Sequence, residues 1–147
     1  MDGEKEEIEE NLVMLRRLVL DKLRALRKEE LGQEKIDELG LVFKVFTLKF
    51  LKIEYEFTNE ELSLELDKKI LSPSLKNKIA NLSSYLDEIK YHEKSIDRRQ
   101  YLKLIDEITE LVTSAVEEAE VQITESKVEA GQSKITSSLA KNIKNFL

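Results

Sequence analysis

Residues 35–57 read KIDELGLVFKVFTLKFLKIEYEF, and the fold turns on how this stretch is read. Projected at 100° per residue, Leu39, Val42, Phe43, Phe46, Phe50, Ile53 and Phe57 gather in one uncharged arc about 100° wide. Leu41, Val45, Leu48, Leu51 and Tyr55 fall on the other side, among Lys44, Thr47 and Lys52. A helix that is apolar on two sides either sits centrally in a bundle or carries an interface. The pattern is long and continuous, which predicts one helix over Lys35–Phe57. Leu51–Phe57 also alternates apolar and charged residues, so a strand competes for that part.

Working outward, Ile8, Leu12, Leu15, Val19, Leu23 and Leu26 recur at spacings of three and four. They predict a helix over about Glu4–Leu31. Glu4, Glu6, Glu7, Glu9 and Glu10 stand at its start, where the macrodipole favours anions. Gly32 reads as its C-cap. Val13, Met14, Leu18 and Leu20 widen the stripe, as if more than one neighbour packs here.

Downstream of the central stretch, Thr58-Asn59-Glu60-Glu61 is a capping box, and it predicts a short helix over about Glu60–Ile70. Ser72-Pro73 restarts the chain, with serine as N-cap and proline at the first helical position. Leu75, Ile79, Leu82, Leu86 and Ile89 then give an amphipathic helix. Tyr91–Ile96 reads as a loop. Asp97, with Gln100 three residues on, caps a further helix, whose broad apolar face carries Tyr101, Leu104, Ile105, Ile108, Leu111, Val112, Ala115 and Ala119. Ile123–Ser133 is weakly patterned. Ile135, Leu139, Ile143 and Phe146, beside Lys134, Lys141 and Lys144, predict a last amphipathic helix. The expected fold is all-α: an irregular bundle of four to five helices over residues 1–120, then a C-terminal amphipathic segment over 121–147.

Composition supports this. The 147 residues include 4 glycines and 1 proline, too few to punctuate a sandwich or barrel. Charged residues reach 37%, dominated by lysine and glutamate, a bias that long exposed helices produce. With no cysteine, disulfides, thiolate metal sites and cysteine nucleophiles are excluded. The single histidine, His92, excludes a two- or three-histidine metal site within one chain. Glu88 lies four residues before His92, a pair that could act as acid and base or hold a metal loosely, although a surface histidine at a helix end fits as well. Glu29, Glu30, Glu34 and Asp37, and likewise Asp106, Glu107 and Glu110, are carboxylate clusters that a two-metal hydrolase could use, or plain solvated helix faces. No glycine-rich phosphate loop and no paired nucleophile and base are present. The sequence thus gives catalysis little support, and no enzyme and no cofactor are expected.

No apolar run is long enough to cross a membrane. The acidic first residues are unlike a signal peptide, so a cytoplasmic location is expected. The net charge of −6 does not favour nucleic acid. The six arginines are nevertheless clustered: Arg16, Arg17, Arg24 and Arg27 on the first helix, and Arg98 with Arg99 near Tyr101. They form either a phosphate- or acid-binding patch or a set of internal ion pairs with the many glutamates. The leading expectation is a non-enzymatic adaptor or scaffold module, with self-association as one form of it. Its candidate contact residues are Leu48, Leu51 and Tyr55 on the second apolar side of the central helix, Leu139, Ile143 and Phe146 at the end of the chain, and the arginine clusters. The alternative is a nucleic-acid-binding accessory factor that uses the arginines.

An aromatic-rich helix (Phe46–Tyr55) leads into Thr58-Asn59-Glu60-Glu61-Leu62, then Ile70-Leu71-Ser72-Pro73-Ser74-Leu75, then Leu82–Tyr91, a loop and a closing helix. Over residues 39–112 this order resembles the cytoplasmic helical segment of BatD-like proteins, which work beside MoxR-type AAA+ ATPases and von Willebrand A-domain proteins. The resemblance implies a small helical adaptor whose protein partner is an AAA+ ATPase.

Overall fold

The computed structural model describes residues 2–91 and 94–131, with side chains over 11–91 and 94–122. The described residues form five helices and no strand: α1 (Asp2–Lys28), α2 (Gln33–Leu51), α3 (Asn59–Lys68), α4 (Pro73–Tyr91) and α5 (Arg98–Gly131). The fold is an all-α bundle.

α5 is the organising element. It packs along α1, α4 and α2, and α1 also packs on α2. The face that carries Tyr101, Leu104, Ile105, Ile108, Val112 and Ala115 is almost wholly buried. α1 lies antiparallel to it. Arg27, near the end of α1, meets Asp106, while Arg16, earlier in α1, reaches Glu120 at 3.9 Å. Burial of these apolar faces, at about 25 cal/mol per Å² removed from water, is the main force holding the helices together. α5 runs unbroken through residue 120 to Gly131, and residues 132–147 lie outside the description.

The caps read from the sequence form as expected. The Glu61 backbone N–H donates to the Thr58 hydroxyl at 3.2 Å, and the Thr58 N–H donates to the Glu61 carboxylate at 3.0 Å. Asp97 and Gln100 make the same reciprocal pair, at 2.8 and 2.9 Å. Ser72 accepts from the Leu75 N–H at 3.2 Å, with Pro73 opening α4. Each such cap satisfies amide donors that the first turn of a helix leaves without partners.

Two expectations are corrected. Gly32 is not a C-cap. α1 ends at Lys28, and Gly32 opens α2 in an extended conformation (φ −162°), its carbonyl accepting from Lys35 N–H at 3.0 Å and Ile36 N–H at 3.1 Å. The central helix does not reach Phe57. It stops at Leu51, and Lys52 turns left-handed (φ 57°, ψ 44°), its N–H donating to the Leu48 carbonyl. That left-handed cap closes the helix as glycine more often does. The chain then runs as an irregular connection, bending at Tyr55, to Thr58. Ile53 and Phe57 are still buried, but they insert from a connecting segment rather than from a helical face. The described residues contain no strand, so this segment is not a strand either.

Candidate protein-interaction surface

α2 separates its two apolar sides cleanly. Leu39, Phe43 and Phe46 are buried, and Phe46 stacks on Phe50 with ring centroids 5.4 Å apart. The one polar group on this face, the Thr47 hydroxyl, donates to the Phe43 carbonyl at 2.8 Å. On the opposite side Leu41 is 61% exposed and Val45 is 37% exposed. Leu48 is half-buried against the edge of the core.

The exposed side continues onto α1. Lys22 of α1 reaches Glu38 of α2 at 3.9 Å across the α1–α2 hairpin. Leu18 and Met14 stand one and two turns before Lys22, on the same side of α1. They are 60% and 54% exposed. Met14 and Leu18 on α1 and Leu41 and Val45 on α2 are thus exposed apolar side chains on two helices that pack together. Scattered apolar side chains on a surface are ordinary, whereas a contiguous group marks a site of association.

The residues singled out from the sequence distribute unevenly. Leu51 is 3% exposed and belongs to the core, so it cannot contact a partner. At 100° per residue it falls beside Thr47, which is buried too, at the edge of the inward face rather than on the outer side. Tyr55 is exposed, lies beyond the end of α2, and donates its hydroxyl to Glu65 on α3 at 2.9 Å. That bond to a carboxylate holds the Tyr55 phenol above its ordinary pKa, since ionisation would set two negative charges together. Leu139, Ile143, Phe146 and His92 lie outside the described residues.

The arginines are largely engaged within the chain. Arg16 pairs with Glu120, Arg24 with Asp21 at 3.3 Å, and Arg27 with Asp106. Arg98 donates to the Glu29 carbonyl at 3.3 Å, which ties the start of α5 to the end of α1. Arg17 and Arg99 are exposed and make no ion pair among the described residues. The side chains at these positions thus face different neighbours and form no single cationic surface.

The carboxylate clusters are divided in the same way. Glu29 pairs with Lys35, and this bond raises the Lys35 pKa. Glu107 and Glu110 line a cleft of about 610 Å³ between α4 and α5, but they share it with Lys78 and Lys103. No group of three or more acidic or histidine side chains suited to a metal ion occurs among the described residues. No described helix is long and apolar enough to cross a membrane.

Sequence reasoning did not single out Met14 and Leu18 as contact residues. Their signal was present as the widened stripe on α1, and only the packing shows that they stay exposed. The described residues form a small all-α bundle with exposed apolar side chains on α1 and α2. Comparison with protein families, curated proteins and solved structures finds no match to the chain.

Proposed function

We propose that the protein is a non-enzymatic helical interaction module, an adaptor or scaffold, whose contact surface is the outer face of the α1–α2 hairpin. The observation that carries this reading is the exposed group Met14, Leu18, Leu41 and Val45. Four large apolar side chains on adjoining helices keep water ordered against them, and covering them with a partner releases it. The surrounding polar rim is suited to a surface that must also stay soluble alone.

The resemblance of residues 39–112 to the BatD-like helical segment makes an AAA+ ATPase the first class of heterologous partner to test. The nucleic-acid reading draws less support, because Arg16, Arg24, Arg27 and Arg98 already have acceptors within the chain.

The test is capture from native extract, with and without nuclease, by the intact chain and by a Leu41→Glu/Val45→Glu variant. Recovery that resists nuclease and is lost with the variant supports the reading. Recovery that depends on nucleic acid, or that is indifferent to the variant, refutes it.

A further inference from the structure

The cleft between α4 and α5 lies apart from the hairpin face. The two helices run antiparallel: the Ser72 N–H at the start of α4 donates to Glu118 late in α5 at 3.1 Å, and residues 92–97 join the end of α4 to the start of α5. Their flanks enclose about 610 Å³, within the range of ligand and partner sites. Leu82, Leu104 and Leu111 form the floor and are 8%, 2% and 1% exposed. The rim is polar. Lys78 and Asn81 stand on the α4 wall, and Lys103, Glu107 and Glu110 on the α5 wall, all of them exposed.

These five rim groups make no hydrogen bond or ion pair among the described residues. Their neighbours give them the opportunity. Lys103 and Glu107 are four apart on α5, a spacing at which opposite charges meet, and Lys78 shares the cleft with both carboxylates. Elsewhere lysine and glutamate do pair between elements, Lys22 with Glu38 at 3.9 Å and Lys44 with Glu56 at 3.0 Å. The cleft thus holds an apolar floor and two charges of each sign whose pairing capacity is unused.

We propose that this cleft is a second docking surface, and that its occupant is a helical segment of another protein with an apolar stripe flanked by charges of both signs. The α5 wall from Gln100 to Leu111 is roughly 16 Å long at 1.5 Å per residue. A trough of that length between two antiparallel helices is the shape a third helix fills, its side chains seated between theirs. The rim fixes the flanks of that helix. Glu107 and Glu110 call for lysine or arginine, and Lys78 and Lys103 call for glutamate or aspartate. The floor supplies the attraction, and the rim supplies the selection. A simple anion would satisfy the lysines and leave both carboxylates unpaired.

Residues 132–147 of the same chain match the cleft less well. Gly131 stands 20 residues beyond Leu111, roughly 30 Å along α5, whereas 16 residues span only roughly 24 Å as a helix. They carry Lys134, Lys141 and Lys144 but no aspartate or glutamate, so Lys78 and Lys103 would keep no counter-charge. The inference does not depend on the hairpin face, and its test separates the two surfaces.

The test is fluorescence anisotropy of the full chain with a stapled helical probe about 16 Å long, its leucine stripe flanked by lysine in one half and glutamate in the other. A second probe has every lysine replaced by glutamate. The wild type is expected to bind the mixed probe roughly tenfold more tightly than the acidic one, and Glu107→Lys/Glu110→Lys is expected to reverse that preference. Glu34→Lys/Asp37→Lys makes the same change of net charge on α2 and keeps the wild-type preference. All four positions are exposed, and circular dichroism verifies that both variants fold. A mixed probe that does not bind the wild type at high micromolar concentration overturns the proposal. So does a wild type indifferent to the two probes, or a preference that survives Glu107→Lys/Glu110→Lys. A peptide of residues 132–147 that displaces the mixed probe at lower concentration than unlabelled probe does assigns the cleft to the chain's own end and overturns it too. Leu41→Glu/Val45→Glu is expected to bind the mixed probe as the wild type does. Loss of binding there places the probe on the hairpin face, which sinks the cleft inference and leaves the interaction reading standing.

Discussion

Val45 and Phe46 are neighbours in sequence, apolar and mid-helix, yet truncating them to alanine should have opposite consequences. Phe46 is 1% exposed and stacked on Phe50, so Phe46→Ala removes a full ring from a closed site and leaves a cavity. Losses of this kind cost about 3–5 kcal/mol, against a total stability of about 5–15 kcal/mol for a domain. Val45 is 37% exposed, so part of its transfer energy was never gained. Alanine also returns roughly half a kcal/mol of helix propensity, which brings the net change for Val45→Ala to within about 1 kcal/mol. The assay is urea unfolding followed by far-ultraviolet circular dichroism, in dilute protein so that the outer face of α2 is uncovered in every sample. With a urea slope near 2 kcal/mol per molar, the Phe46→Ala midpoint falls by roughly 2 M and the Val45→Ala midpoint by under about 0.5 M. Equal shifts for the two variants, or a Phe46→Ala shift below about 0.5 M, would refute the assignment of the two faces.

Lys52→Gly should raise the unfolding midpoint in dilute protein. A left-handed conformation strains an L-residue by about 1–2 kcal/mol, while glycine's extra unfolded-state entropy returns about 0.4–1 kcal/mol of that, so the net gain is about 0.5–1 kcal/mol; a lower midpoint would show that the turn is not held at φ 57°. Burial, reinforced by the nearby Glu29 carboxylate, raises the Tyr101 pKa above that of the unfolded chain. The contribution from Tyr101 is then complete below about pH 10 and is lost as pH rises through its folded pKa, because the unfolded state gives up the proton first. Tyr101 and Tyr55 should therefore ionise late in the rise of tyrosinate absorbance. Replacing Tyr101 or Tyr55 by phenylalanine should remove a late part of that rise, and a loss from the early part would contradict this.

Helix starts were legible because they are chemical. Thr58 with Glu61, Asp97 with Gln100, and Ser72 with Pro73 each carry donors and acceptors at fixed offsets, and each closes as those offsets require. The end of α2 was not legible, because nothing in the side chain of Lys52 announces a left-handed turn. Ile53 and Phe57 compounded the problem. They are buried from an irregular connecting segment yet happen to continue the helical phase of Leu39, Phe43, Phe46 and Phe50. Periodicity reports burial, and burial can be reached from more than one backbone shape. The interaction surface was half legible for a related reason. Leu41, Val45, Met14 and Leu18 were all visible as surplus apolar residues, but which of them stay exposed depends on how α1 and α2 pack on the rest of the bundle. The arginines read as a cluster along the chain, and they come apart in space because successive side chains on a helix point to different neighbours.

α3 is attached to the rest of the bundle mainly through α4, whereas α1, α2 and α4 each pack on α5. Its buried apolar anchors are two, Leu62 and Leu66, within ten residues. A helix of ten residues has little cohesion of its own in water. The bundle thus contains a lower-cost unit of opening: α3 itself, residues 59–68, is expected to expose its amide protons to exchange before the α1–α5 pair, while Ile53 and Phe57 hold the preceding segment in the core. Stability in this molecule is accordingly graded. The α1–α5 pair sets the global limit, and the α3 excursion sets the first event on the way to it.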